Sequence, residues 1–278
     1  MKFTSGLLTS ERKRFEKWFG EPLEPPIVGC GHWGCVVLGA SGDKLLKLTV
    51  DPAEPHLAHM IQGLQAEDSA RGEMVRAGVV KIHRVAKIRG KVWKYGRNQD
   101  VYVISREAVI PIQDAASRGK SDPLALWLRA RRRRKAARTE LELQLQQNMQ
   151  ELELDGQVIQ RPPGWVSERT KNILDDIVET LEAADKCQTA RARARRETDA
   201  IGQMGDLASY PEGETLGEAM IALLAGFDVP LRDVHMGNIG LRIEPTSPEV
   251  PTPALVLFDF GHAELRRVPM RRLGELSL

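Results

Sequence analysis

Residues 231–244 read LRDVHMGNIGLRIE and residues 254–261 read ALVLFDFG. Asp233 and Asn238 stand five residues apart in the first run. Asp259 closes the second, after an apolar stretch whose β-branched and aromatic residues suit a buried strand. The Pro-containing segment between the runs reads as a turn, so the two form a hairpin with three oxygen-bearing side chains converging at its ends. A carboxylate able to accept a proton, followed by an amide and a second carboxylate able to hold a hard cation, is the set that phosphoryl transfer from Mg-ATP requires. Upstream, Leu216, Met220, Leu223 and Leu224 recur at helical spacing, so the loop carrying Asp233 leaves a buried helix.

Toward the N-terminus, Ser10 can cap a short helix with Phe15, Trp18 and Phe19 on one side and Gly20 as its stop. After a Pro-rich entry comes IVGCGHWGCVVLG, in which Gly29, Gly31, Gly34 and Val36 spell G-x-G-x-x-G-x-V with Trp33 at the tip. A dinucleotide-binding loop would lead straight into a helix. Here Val36 and Val37 follow, so the chain continues as a strand and folds back. Glycines allow close backbone approach to phosphates, and an aromatic tip shields them from water. Lys47, in KLLKL, is either an edge-strand charge facing water or a phosphate-binding ammonium, and its distance from the Gly-rich loop favours the second. A helix is expected over 56–77. Glu67, twenty residues after Lys47, is its expected partner, with Glu73 as competitor. Strands are expected near 79–82, 92–95 and 101–104, and a hinge over 105–110.

The Gly-rich loop, Lys47, a helix acid, the Asp233 to Asn238 loop and Asp259 occur in the order found in the protein-kinase-like superfamily, which the chain resembles over about 25–110 and 214–262. The resemblance implies an α+β, two-lobed protein-kinase-like fold. Residues 1–105 would form a small antiparallel sheet lobe, and 106–278 a mostly helical lobe with a helical insertion over 113–214, the catalytic hairpin at 231–261 and a truncated C-terminus. It implies ATP and Mg2+ as cofactors. The loop residues Gly29, Gly31, Trp33, Gly34 and Val36 would cover the nucleotide. Lys47, steadied by Glu67, would hold the α- and β-phosphates, and Asn238 and Asp259 would bind magnesium. Asp233 would orient the acceptor hydroxyl and take its proton.

Three departures qualify the resemblance. Leu231 stands where many members have histidine. His235 and Gly237 give D-x-H-x-G-N, which is closer to aminoglycoside and choline phosphotransferases than to Ser/Thr protein kinases; His235 is expected to balance charge at the transferring phosphate. Only 17 residues follow Gly261, so no long activation segment is expected. A protein Ser/Thr kinase is the leading expectation. A small-molecule hydroxyl kinase and a non-catalytic nucleotide-binding regulator are the alternatives.

The remaining signals bound the partners. The chain has 278 residues, 42% hydrophobic and 28% charged, with 40 Lys and Arg against 38 acids. A net charge of +2 exerts no overall pull on nucleic acid or membrane. Local basic runs lie at 129–138, with Arg131, Arg132, Arg133 and Arg134 at its centre, and at 191–196. On base rates these are solvated helix faces; an acidic partner at Arg131 to Arg134 is the functional alternative, and nucleic acid is disfavoured because aromatics are not interleaved. Asp122 and Pro123 begin one long helix well, and Ser167 a second running to about residue 200, with a hairpin expected near Asp155 and Gly156. Three cysteines are too few for a disulfide framework, which suggests a reducing, cytoplasmic setting, and neither a signal peptide nor a membrane span is expected.

Overall fold

The computed structural model describes residues 7–23, 29–30, 34–94, 97–111, 167–211, 213–227, 229, 231, 234, 236–242, 254–259 and 273–276. The expected long helix from Leu124, the basic run at Arg131 to Arg134 and the hairpin near Asp155 lie outside the described residues. So do Gly31, Trp33, Asp233 and His235.

The described chain is α+β, and after a helical turn at 7–10 comes helix α1 (Arg12–Phe19). Gly20 ends it with φ 91°, a left-handed conformation that costs glycine little, and its N–H donates to the Glu16 carbonyl. Ser10 does not cap this helix: its hydroxyl donates to the Leu7 carbonyl, and the N-cap position falls to Glu11. Strands β1 (Gly29–Cys30), β2 (Gly34–Leu38) and β3 (Lys44–Thr49) follow as an antiparallel meander. Two long strands, β4 (Ile82–Lys94) and β5 (Arg97–Glu107), form a hairpin in which Lys94 faces Arg97. The strands expected near 92–95 and 101–104 are thus parts of longer ones, and the run at 79–82 contributes only its last residue to β4.

The six-stranded sheet runs β1-β2-β3-β5-β4 and closes on a short strand late in the chain. Its last member, β9 (Gly274–Leu276), pairs parallel with β4, so the sheet is mixed rather than the antiparallel one expected. Period-two alternation gives it two different faces. Val37, Leu46, Leu48, Val101 and Val103 point to one side, where Phe15 and Phe19 of α1 cover them. Leu45 and Lys47 point to the other.

The expected single helix over 56–77 is two: α2 (Ala53–Gln65) and α3 (Ala70–Gly78). Ser69 separates them, because its side chain accepts from the Gly72 N–H and starts a new helix in another direction. The second expected long helix is likewise two, α4 (Glu168–Asp185) and α5 (Ala190–Ala208). Ser167 caps the first at Thr170 N–H, and Thr189 caps the second at Ala192 N–H. Capping at Thr189 lets the chain turn back, so Leu174, Ile177 and Leu181 bury in one core with Ala200, Met204 and Leu207. Helix α6 (Glu214–Ile221) buries Leu216 and Met220 as its spacing predicts, then widens into a π-helical turn over Ala222–Gly226. Gly78 meets α6 closely: a Cβ there would come 2.0 Å from the Thr215 carbonyl oxygen.

Past Glu107 the chain enters a second, three-stranded sheet, β6 (Ile110–Pro111), β7 (Ile239–Arg242) and β8 (Ala254–Leu257). The expected hinge is where it passes between the sheets. Arg242 braces this passage. Its guanidinium meets Glu107 through two contacts of 2.8 Å and donates to the carbonyls of Ala77 (2.6 Å) and Val79 (2.7 Å) at the end of α3. Arg242→Ala should destabilise the protein by about 2–3 kcal/mol, because it strands a carboxylate and several carbonyls together. Urea unfolding at neutral pH measures this, and a loss below about 1 kcal/mol would mean that water replaces the guanidinium freely.

His56 of α2 is also buried, edge-on to Tyr102 with ring centroids 6.4 Å apart, and its Nδ1 has no hydrogen-bond partner among the described residues. Burial, then the neighbouring charges of His59 and Lys87, hold its pKa below the usual 6.5. The native state therefore favours neutral His56. Its contribution is full above pH 6.5 and declines as pH falls, because the unfolded chain binds the proton first. His83 shifts the same way, by burial first. Unfolding free energy should drop between about pH 7 and pH 5, and His56→Phe should flatten part of that slope. An unchanged slope in the variant would assign the dependence elsewhere.

Candidate active site

Lys47 occupies a central strand, β3, between β2 and β5. The edge-strand reading of this lysine therefore does not hold, and its side chain is only 12% exposed. Its Nζ donates to both oxygens of Asp259, at 2.8 and 3.0 Å, and pairs with Glu54 as well. Glu54 is thus the helix acid that meets Lys47. Glu67 and Glu73 are exposed, the first in the bend after α2 and the second in the first turn of α3.

The local sequence explains why the acid comes seven residues after the lysine. Thr49 Oγ1 accepts from the Asp51 N–H at 3.1 Å, and Asp51 Oδ1 accepts from the Ala53 N–H at 2.9 Å. Pro52 and Pro55 lack the amide protons that a helix start leaves unpaired. Helix α2 therefore opens directly after β3, and Glu54 falls in its first turn. An Asp-Pro helix start at 51–52 was the available signal for Glu54.

Two carboxylates share one ammonium in a site with little water. Burial alone would lower the pKa of Lys47, but Glu54 and Asp259 outweigh it and raise it. Burial pushes Asp259 up, yet Lys47 and Arg106 more than offset this and bring it down to about 2. For Glu54 burial prevails over Lys47, and its carboxyl is raised. Asp259 is therefore the firmly ionised member, the property required of a cation ligand.

The β7–β8 hairpin brings Asn238 to Asp259. Asn238 ends a 3₁₀ turn (Met236–Asn238), is 6% exposed, and its carbonyl accepts from the Phe258 N–H at 2.9 Å. Asp259 is the next residue. A carboxylate and an amide from adjoining backbone fit magnesium, which keeps several waters and takes one or two protein carboxylates alongside nucleotide phosphates. Among the described residues no cluster of three His, Cys, Asp or Glu side chains of metal-binding geometry occurs.

The Gly-rich segment is described in part. Gly29 pairs with Val36 across β1 and β2. A Cβ on Gly34 would stand 1.9 Å from the Leu48 carbonyl oxygen, so strand packing alone demands glycine there, whatever the loop covers. Cys35 is half of a disulfide, and Cys30 stands opposite it in the strand register; Cys187 has a free thiol. Among the described residues no helix is long and apolar enough to cross a membrane. No protein-family model and no curated protein matches this chain.

Proposed function

We propose that the chain is an ATP-dependent phosphotransferase that moves the γ-phosphate to a hydroxyl, with a protein Ser or Thr as acceptor. The observation that carries this reading is the part-buried contact of Lys47 with Asp259, between side chains 212 residues apart in sequence. Lys47 binds the α- and β-phosphates when the nucleotide enters, and Glu54 keeps the ammonium in place. Asn238 and Asp259 would hold magnesium, which would neutralise charge on the phosphates. Asp233 accepts the proton as the acceptor oxygen attacks γ-phosphorus and the bond to the β–γ bridging oxygen breaks, releasing ADP. His235 balances charge at the same phosphate. The two-lobed kinase-like arrangement belongs to this proposal, with the six-stranded sheet in one lobe, a mostly helical second lobe that carries the β7–β8 hairpin, and the nucleotide between them. A cytoplasmic setting goes with it, although the disulfide at Cys35 counts against a reducing compartment.

A small-molecule hydroxyl is the second reading. It is favoured by the D-x-H-x-G-N loop and by β9, which rejoins the first sheet after residues 262–273 and so leaves only a short segment where peptide acceptors would dock. Incubation of the pure protein with labelled ATP and magnesium, with and without host lysate, distinguishes the two by the mass of the labelled species. Absence of label in protein and in small molecules alike, with ATP bound, would leave the nucleotide-binding regulator in place of both.

A further inference from the structure

Arg106 is a buried cation with no role in the steps above; it is 6% exposed. In the β3–β5 register it faces Leu45, while Ile104 faces Lys47, so Arg106 lies on the same sheet face as Lys47. Its Nη1 donates to the Phe258 carbonyl, and its guanidinium carbon sits 5.2 Å from the centre of the Phe258 ring. That carbonyl belongs to the peptide bond leading into Asp259. Two neighbouring groups are also tied down: the Phe258 N–H to Asn238 at 2.9 Å, and the Leu257 carbonyl to the Val80 N–H at 3.0 Å.

A peptide plane is rigid, so holding its oxygen sets the direction from which the next Cα and its side chain depart. The hairpin and the residues that follow α3, Val79 and Val80, hold the chain up to Phe258, and Arg106 supplies the last restraint before Asp259. We propose that Arg106 is a positioning residue that clamps the Phe258–Asp259 peptide, and so presents the Asp259 carboxylate to Lys47 and to the nucleotide-bound magnesium. The assignment of magnesium rests on the phosphotransferase reading; the clamp itself does not. An ammonium at this position would preserve charge but lose the planar fork and the stacking on Phe258.

The test uses the full chain and three variants, Arg106→Met, Arg106→Lys and Phe258→Leu. It reads amide exchange over 257–259 without nucleotide, and ATP affinity with and without magnesium. In Arg106→Met, exchange at the Asp259 amide should rise and the magnesium-dependent gain in ATP affinity should fall roughly tenfold, the scale of one charge-assisted hydrogen bond. Metal-free affinity should hold. Arg106→Lys should be intermediate, and Phe258→Leu, which keeps the carbonyl, should stay near wild type. A folded Arg106→Met with wild-type exchange and magnesium gain overturns the proposal, as does a lowered melting temperature with both of those unchanged. If the methionine variant does not fold, the lysine variant decides: wild-type behaviour there means that charge alone suffices and the clamp is wrong. A wild-type chain without magnesium-dependent ATP binding sinks the phosphotransferase reading and the magnesium half of this proposal, while the exchange arm still tests the clamp.

Discussion

Lys47→Met is expected to destabilise the protein by about 3–5 kcal/mol at neutral pH, the scale for removing one partner of a buried ion pair. The substitution preserves length and apolar volume, so little of the loss comes from packing. It leaves Glu54 and Asp259 facing each other in a site that admits little water, with Arg106 as the remaining cation among the described residues. Two like charges at that range cannot both ionise freely, so one carboxyl takes up a proton and its pKa rises. A raised folded-state pKa contributes stability at low pH that is lost as pH rises. The deficit against wild type should accordingly shrink toward about pH 5. Adding Glu54→Gln to Lys47→Met should recover part of the stability at neutral pH without restoring phosphate binding. Urea unfolding of the four proteins in this cycle measures both effects. A loss below about 1 kcal/mol for Lys47→Met would show that the three groups are not a desolvated cluster.

Asp233→Asn should lower phosphate transfer by about 10² or more while ATP-Mg binding persists, because the amide keeps size and hydrogen bonding but cannot accept the proton. Asp259→Asn should act differently, weakening magnesium-dependent nucleotide binding together with transfer, since the hard anionic ligand is lost. Calorimetry with and without magnesium, beside turnover at saturating ATP, separates the two. Transfer at the wild-type rate in Asp233→Asn would remove this loop from the chemistry.

Several features of the fold are legible in the chain as written. Gly20 stops α1 because glycine tolerates φ 91°, and Leu216 and Met220 are buried because their spacing matches the turn of a helix. Alternation in KLLKL sets Leu46 and Leu48 opposite to Lys47, and the apolar run before Asp259 is the strand it reads as. The length of a helical pattern was less informative. Both runs read as long continuous helices are broken, at Ser69 and at Thr189, by single side chains that cap a new N-terminus. Such a residue is compatible with a helix interior in sequence and is decided by what the following helix can pack against.

By itself the sequence singled out Lys47 and Asp259 as candidate site residues and located most of the strands, such as β2, β3 and β8. Tertiary structure decided which of them meet. Spacing of twenty residues suggested Glu67, but the first turn of α2 opens so soon after β3 that Glu54 reaches the ammonium and Glu67 is left in solvent. Arg106 and Arg242 gave no local signal at all, because each is defined by carbonyls and a carboxylate that arrive from distant parts of the chain. The parallel return of β9 to β4 is of the same kind. Local patterning records the period of an element and which face it buries, whereas the partner of a buried charge depends on where the backbone closes in space, and desolvation makes that choice the costly one.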